Sequence, residues 1–318
     1  MRCLALIALL SLAGAVGAAD PYPSKPVRII VGTSPGGSPD TFARFVAAKM
    51  SESWGAVVVE NRIGAGGNLA AELVSKAAPD GYTAYVCDSS VWAINPYLYS
   101  KLLYNPLGDF AGVTTIATLP MFLTVHPSVP VHTYAEFIAY AKKNPGRLSY
   151  ASAGNGSIHH ITTELFKSLT GIDMLHVPFK GMGPGAQALI SGDVPVAFTS
   201  YTAIAAFAKA GKLRILASSA GKRTPALPDI PTVAELGVPG FDMASQLGAL
   251  VPAATPRDIV AKLHAAMAAA VNAPDVNAKM AAFGVGVGTS TPQEFDALMR
   301  AENAKYAKLV ALSGAKMD

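Results

Sequence analysis

Two stretches repeat one pattern and between them limit what the chain can fold into. Val27-Arg28-Ile29-Ile30-Val31 is a short apolar, β-branched run that reads as a buried strand. It enters the turn Gly32-Thr33-Ser34-Pro35-Gly36-Gly37-Ser38-Pro39-Asp40, after which residues 41–50 carry apolar side chains at helical spacing. Leu148-Ser149-Tyr150-Ala151-Ser152 runs in the same way into Ala153-Gly154-Asn155-Gly156-Ser157 and a helix over 158–169. Ser157 suits the N-cap of that helix, and Gly154 and Gly156 permit left-handed backbone and close approach. Each unit sets a glycine-rich turn at a helix N-terminus, where bare N–H groups and the positive end of the helix dipole favour a carboxylate or phosphate. One such turn in each half suits a ligand held between two lobes. On the residues alone, two tight turns without a ligand remain the alternative.

Between and beyond these units strand-like and helix-like stretches alternate, which predicts an α/β fold with mixed, mostly parallel sheets. Strands are expected at 56–60 and 82–87, separated by the loop 61–67 and a helix over 68–77. Residues 95–109, rich in Tyr, Pro and Asn, read as irregular, and 110–125 as one apolar strand region. A helix over 133–144 stops at Asn144-Pro145-Gly146. Further strands are expected at 174–178, 193–198 and 212–218, with a glycine-rich stretch at 181–185 and then a helix to Ser191. A Pro-rich segment follows at 225–239. The Ala-rich tail from 256 to 318 is helical, without strands of its own, and is expected to return to the first half.

The first residues read as an export signal: Met1-Arg2, an apolar run over 4–16 too short to span a bilayer, then Ala15-Val16-Gly17-Ala18-Ala19 with small residues at the cleavage positions. Cleavage after Ala18 or Ala19 removes Cys3 and leaves Cys87 alone, so the mature chain has no internal disulfide. With 318 residues, 51% hydrophobic and 14% charged, the chain has material for a sizeable core and two domains. Its net charge of +4 is spread out rather than clustered, which argues against a nucleic-acid partner.

Other motifs are weaker. Gly32-Thr33-Ser34-Pro35-Gly36 matches the nucleophile elbow of serine hydrolases, an alternative function using Ser34. That elbow needs the N–H of the residue after the serine, and Pro35 has none. Gly64-Ala65-Gly66-Gly67 lacks the third small residue of a dinucleotide fingerprint and reads as a loop built for close approach. His159-His160 diverge by about 100° on a helix and have no Cys or acidic cluster beside them, so no metal or other cofactor is expected. His160 is a candidate for the cleft or for a structural role. Asp40 suits the first turn of its helix, where it orders the loop. Ser89, Ser90, Thr199 and Tyr201 fall at strand ends, where open α/β sheets hold ligands.

The chain also resembles the Bug receptors, the periplasmic solute-binding proteins of tripartite tricarboxylate transporters. The resemblance rests on Tyr-Pro-Ser-Lys-Pro-Val-Arg at 22–28, Pro-Gly-Gly-Ser-Pro-Asp at 35–40 and Val-Glu-Asn-Arg-Ile-Gly-Ala-Gly-Gly at 59–67. It continues with Pro-Asp-Gly-Tyr-Thr at 79–83, Gly-Asn-Gly-Ser at 154–157, His-Val-Pro-Phe-Lys-Gly at 176–181 and Leu-Pro-Asp-Ile-Pro-Thr-Val-Ala-Glu at 227–235. It implies a non-catalytic, monomeric Venus flytrap of the type II periplasmic-binding-protein fold, delivering a small carboxylate to membrane transporter subunits or, alternatively, loading a sensor. Implied boundaries are a signal peptide at 1–19, one domain of 20–121 with 248–318, a second of 122–247, and a hinge near 118–124 and 243–250. The implied ligand contacts are Ser34, Pro35, Gly36 and Gly37 on one loop and Ser152, Gly154, Asn155, Gly156 and Ser157 on the other. Two departures bear on the ligand: Gln246 stands where the family often has Trp, and no Asp stands near Thr199-Ser200 to meet an ammonium group.

Overall fold

The computed structural model describes residues 22–316, so the expected signal segment at 1–19, with Cys3, lies outside the described residues. The chain opens with β1 (Val27–Val31), α1 (Ser38–Trp54), β2 (Val57–Asn61), α2 (Asn68–Ser75) and β3 (Thr83–Asp88). A π-helical turn over Ser90–Ile94 leads into α3 (Asn95–Leu98), and β4 (Phe110–Leu119) follows. Pro120 then interrupts the apolar run that the sequence presents as continuous, because it has no N–H to give a ladder. β5 (Phe122–Val125) therefore begins in a different sheet.

The second lobe continues with α4 (Tyr134–Lys143), β6 (Leu148–Ser152), α5 (Ile158–Thr170), β7 (Met174–Pro178), α6 (Met182–Ser191), β8 (Val196–Thr199), α7 (Tyr201–Lys209) and β9 (Arg214–Ser218). The chain returns through β10 (Ser245–Pro252) and ends with α8 (Arg257–Asn272), α9 (Pro274–Ala281), β11 (Gly286–Val287) and α10 (Pro292–Ser313). The two-residue β11, paired with Ala117 and Thr118, corrects the expectation of a strandless tail. The Ala-rich α7 was not legible as a separate element.

The sheets are ordered β11-β4-β10-β3-β1-β2 and β7-β6-β8-β5-β9. They are mixed, with four parallel pairings inside the βαβ runs and five antiparallel ones. The antiparallel share exceeds the expected one because β5 and β10 enter from the other lobe and run against their neighbours. Side chains alternate along the strands as burial on both faces requires. Val27, Ile29 and Val31 join one apolar cluster with Phe42 and Val46 of α1 and Leu263 and Met267 of α8. Ile30 turns to the other face, toward Ala70 and Val74 of α2. That second cluster runs through Trp92, Phe295 and Tyr306 to Phe166, Phe198 and Phe241, so one core is continuous across both lobes.

Caps fix the helix ends. Thr133 and Glu136 form a capping box at α4, as do Thr291 and Glu294 at α10. The two crossings between sheets are clasped by buried Ser219. Its N–H donates to Met121 O (2.7 Å), its Oγ accepts from Met121 N–H (3.0 Å), and its carbonyl accepts from Met243 N–H (2.8 Å).

Candidate functional site

β1, β2 and β3 run parallel, so the segments that follow them leave from one edge of the sheet, and antiparallel β10 starts at that same edge. Likewise the turns after β6, β7 and β8 leave one edge of the second sheet. The two edges meet. A cavity of about 220 Å³ is lined by Gly66, Ser90, Asn95 and Leu98 from the first lobe and by Asn155, Gly156 and Ser157 from the second. A β-carbon on Gly156 would stand 2.8 Å from both methyls of Leu98, and one on Gly284 would stand 2.8 Å from Tyr201 Cβ. The lobes therefore touch on either side of the cleft.

The first turn is sewn to itself. Gly36 N–H donates to Asp40 Oδ2 (2.9 Å) and Gly37 N–H to Ser34 O (3.1 Å). Asp40 is buried, and Arg44 (2.9 Å) and Asn61 Nδ2 (2.8 Å) complete its shell. Burial opposes its charge, but the bonds from Arg44, Gly36 and Asn61 outweigh it and hold the carboxyl below its usual range. Asp40 thus orders the loop, and Gly36 and Gly37 have their N–H groups committed. The donors left to a ligand are the first-turn N–H groups of Ser38 and Asp40, which have no helical acceptor. Ser34, Pro35 and Gly36 are exposed, and among the described residues no histidine bonds Ser34.

Behind this turn, Gly32 lies so close to the loop after β2 that a β-carbon would meet Gly67 Cα at 2.8 Å and Tyr85 Oη at 2.7 Å. Tyr85 Oη–H donates to Gly67 O (2.9 Å) and Asn95 Nδ2 to Gly66 O (3.0 Å), which locks the loop. Thr33 lines a small cavity of about 20 Å³ with Gly66, Gly67 and Asp88, and its buried Oγ1 has no partner. That space suits one water.

The second turn is braced in the same manner. Gly154 N–H donates to Ser152 Oγ (3.1 Å), Gly156 N–H to His160 Nδ1 (3.1 Å) and Ser157 N–H to Gly154 O (3.2 Å). Ser157 Oγ accepts from His160 N–H (3.3 Å) as the N-cap of α5. Asn155 is exposed, and the N–H groups of Asn155, Ile158 and His159 are free for a ligand. His159 Nδ1 and Thr199 Oγ1 are buried without partners, and burial pushes the His159 imidazole down to about 4. Thr33 and Thr199 thus place unsatisfied polar atoms at the strand ends of both lobes, and His159 places one in the first turn of α5.

The remaining candidates separate. Ser89 is buried and clasps β10, its N–H donating to Gln246 O (2.8 Å) and its Oγ meeting Ser245 Oγ (3.0 Å). Gln246 Oε1 accepts from Thr118 Oγ1 (3.0 Å) and faces a different cavity, of about 470 Å³, with Lys222 and Thr224. The two cavities share no lining residue. Asn95, Leu98 and His176 were not singled out from sequence. Only His176 carried a signal, since it opens the His-Val-Pro-Phe-Lys-Gly motif at 176–181; Leu98 acts through a contact between lobes.

A family described as the tripartite tricarboxylate transporter family receptor matches residues 42–314. The chain belongs to that family. Protein BugT of Bordetella pertussis is 32% identical to this receptor over 99% of the chain and 98% of its own length. The structure of R. palustris Rpa4515 with adipate aligns with a TM-score of 0.83 at 36% identity, over 93% of this receptor and 100% of that chain. MatC (Rpa3494) from Rhodopseudomonas palustris with bound malate aligns at 0.77 and 33% identity, over 91% of this receptor and 100% of MatC. The receptor has the two-lobed α/β fold of these proteins, and among its described residues no helix is long and apolar enough to cross a membrane.

Proposed function

We propose that the receptor captures a small organic carboxylate between its lobes in the periplasm and presents it, unchanged, to the membrane subunits of its transporter. The observation that carries this reading is the cavity of about 220 Å³ walled by both sets of strand ends, with Asn155, Gly156 and Ser157 on one side and Gly66 and Ser90 on the other. It is smaller than the roughly 300 Å³ at which pockets for drug-sized ligands begin, which suits a compact metabolite. The relatives described with adipate and with malate support a di-acid. A carboxylate there meets the N–H donors at the first turn of α5 and the positive end of its dipole, while the first turn of α1 stands outside the cavity's lining and reaches the ligand only on closure.

In this reading residues 20–121 with 248–318 form one body and 122–247 the other, and they close about the crossings held by Ser219. Residues 1–19 direct export and are removed, and the mature chain works as a monomer without a cofactor. No catalytic step is assigned: Pro35 leaves Ser34 without the oxyanion donor that an elbow needs. Melting of the mature protein across a panel of adipate, malate, citrate and benzoate tests the assignment. A bound member raises the melting temperature by mass action, about 2.7 kcal/mol at a hundred times Kd. If no member of the panel raises it, the assignment falls.

A further inference from the structure

Two imidazoles stand directly behind the second turn. His160 and His176 stack face to face with centroids 4.1 Å apart at 7°, and Tyr150 covers the far face of His176 at 4.9 Å. Each ring ends a chain of hydrogen bonds that starts in the turn. Gly156 N–H reaches His160 Nδ1 at 3.1 Å. Gly154 N–H reaches Ser152 Oγ at 3.1 Å, and Ser152 Oγ lies 2.6 Å from His176 Nε2. A backbone N–H only donates, so His160 Nδ1 must carry a lone pair and its proton sits on Nε2. Ser152 Oγ accepts from Gly154 N–H and either donates to Gly154 O (3.1 Å) while His176 Nε2–H donates to it, or donates to a lone pair on His176 Nε2. His160 therefore serves the turn as a neutral acceptor, and His176 holds Ser152 Oγ through Nε2 as donor or acceptor according to its tautomer.

We propose that His160 and His176 are positioning residues for the ligand site, His160 holding Gly156 while neutral and His176 holding Gly154 through Ser152, and that protonation of His160 releases the turn and weakens binding. This rests on the reading of the cleft as the carboxylate site. The proton comes from solvent and lands on Nδ1, the atom that accepts from Gly156, so the N–H must turn away. The second ring adds to the effect, because a charge on one imidazole opposes a charge on the other at 4.1 Å.

The groups that bear on the pair are few. Glu164 on α5 favours the charged rings, and it is itself tied to Tyr150 Oη (2.7 Å) and Lys167 Nζ (2.9 Å). Lys167 opposes them. β6, β8, α10 and α4, which also pack on α5, add no charged group to that set, and His159 on the same helix is held neutral by burial. Burial lowers His160 below the ordinary imidazole range and lowers His176 to about 4. The sign follows. The folded site favours the neutral rings, so the brace is complete above the ordinary imidazole range and is lost as the pH falls through the folded values.

The test compares wild type with His160→Asn, whose amide oxygen replaces Nδ1 as an acceptor without titrating, and with His160→Ala, which removes the acceptor. In ligand-free protein the Gly156 amide resonance is followed from pH 7.5 to 4.5 together with the His160 ring, and adipate affinity is measured over the same range. The wild-type amide is expected to move with the ring. Adipate affinity should fall about tenfold more than in His160→Asn, whose amide stays put; a tenfold loss is a one-unit difference in pKa between free and bound protein. His160→Ala should bind weakly throughout. Titration of adipate itself is common to all three. An Asn variant with the wild-type profile, or a Gly156 amide indifferent to the ring, overturns the proposal. Should adipate not bind even at pH 7.5, the carboxylate reading fails for that ligand, and the amide titration alone decides the brace.

Discussion

Gly156 meets two constraints at once. Its φ of +72° lies in the left-handed region, and the space its β-carbon would fill belongs to Leu98 of the other lobe. The first constraint was legible: a glycine between a strand and a helix N-terminus announces unusual backbone. The second was not, because it joins residues 58 positions apart that meet only when the lobes approach. Gly156→Ala is expected to cost about 1–2 kcal/mol in the backbone and to hold the lobes apart, lowering ligand affinity at least tenfold by calorimetry. Adding Leu98→Ala should restore the affinity while leaving the backbone cost visible in the melting temperature. If the double variant binds no better than the single one, Leu98 is not the obstruction. The histidine pair teaches the same lesson. His160 was legible as a neighbour of the turn, whereas its role as acceptor for Gly156 depends on a ring orientation that stacking on His176 fixes.

Among elements, α10 does what the tail's composition did not disclose. It was expected to lie on the first lobe, and it does so through Phe295 beneath Gly112 and Gly248, but it also packs against α5 of the second. It grips the π-helical turn at the cleft. Trp92 Nε1–H donates to Glu302 Oε2 (2.9 Å) and Asn303 Nδ2 donates to Trp92 O (2.6 Å). Glu302 is buried, and burial raises its carboxyl to about 7. A folded value above the unfolded 4.5 means that the fold favours the protonated acid. Stability attributable to this group is therefore full below the unfolded value and declines as the pH climbs toward 7, by about 3 kcal/mol at most. Glu302→Gln keeps the acceptor for Trp92 and is expected to melt higher than wild type at pH 8 and equally at pH 4.5. An unchanged difference at the two pH values would mean that Glu302 does not titrate there.

Elements were legible where periodicity and turn chemistry agreed, as at β1, β6 and α5. They were less so where one residue decided. Pro120 split an apolar run into β4 and β5, and α6 begins at Met182 despite Pro184, whose missing N–H costs nothing in a first turn.

At the scale of the molecule, the two sheets are separate but the apolar core is not. The cluster containing Tyr85, Trp92 and Tyr306 continues to Phe166 and Phe241, so the closure proposed above would carry α5 over α10 while Ser219 keeps the crossings paired. Of the two turns in the sequence, the second lines the cavity between the lobes and the first is absent from its lining. The two-turn pattern did not foretell that Gly36, Gly37, Gly154 and Gly156 spend their N–H groups on the turns themselves. In the proposed reading the donors offered to a ligand are their neighbours, Ser38 and Asp40 on one side and Asn155, Ile158 and His159 on the other. The most direct test is therefore an amide-resonance titration of the mature protein with the carboxylate that raises its melting temperature most. The prediction is that both sets of amides shift together with a single Kd. Shifts confined to one lobe, or centred on Gln246 and Thr224 while both turns stay silent, would contradict a carboxylate held between the two helix N-termini.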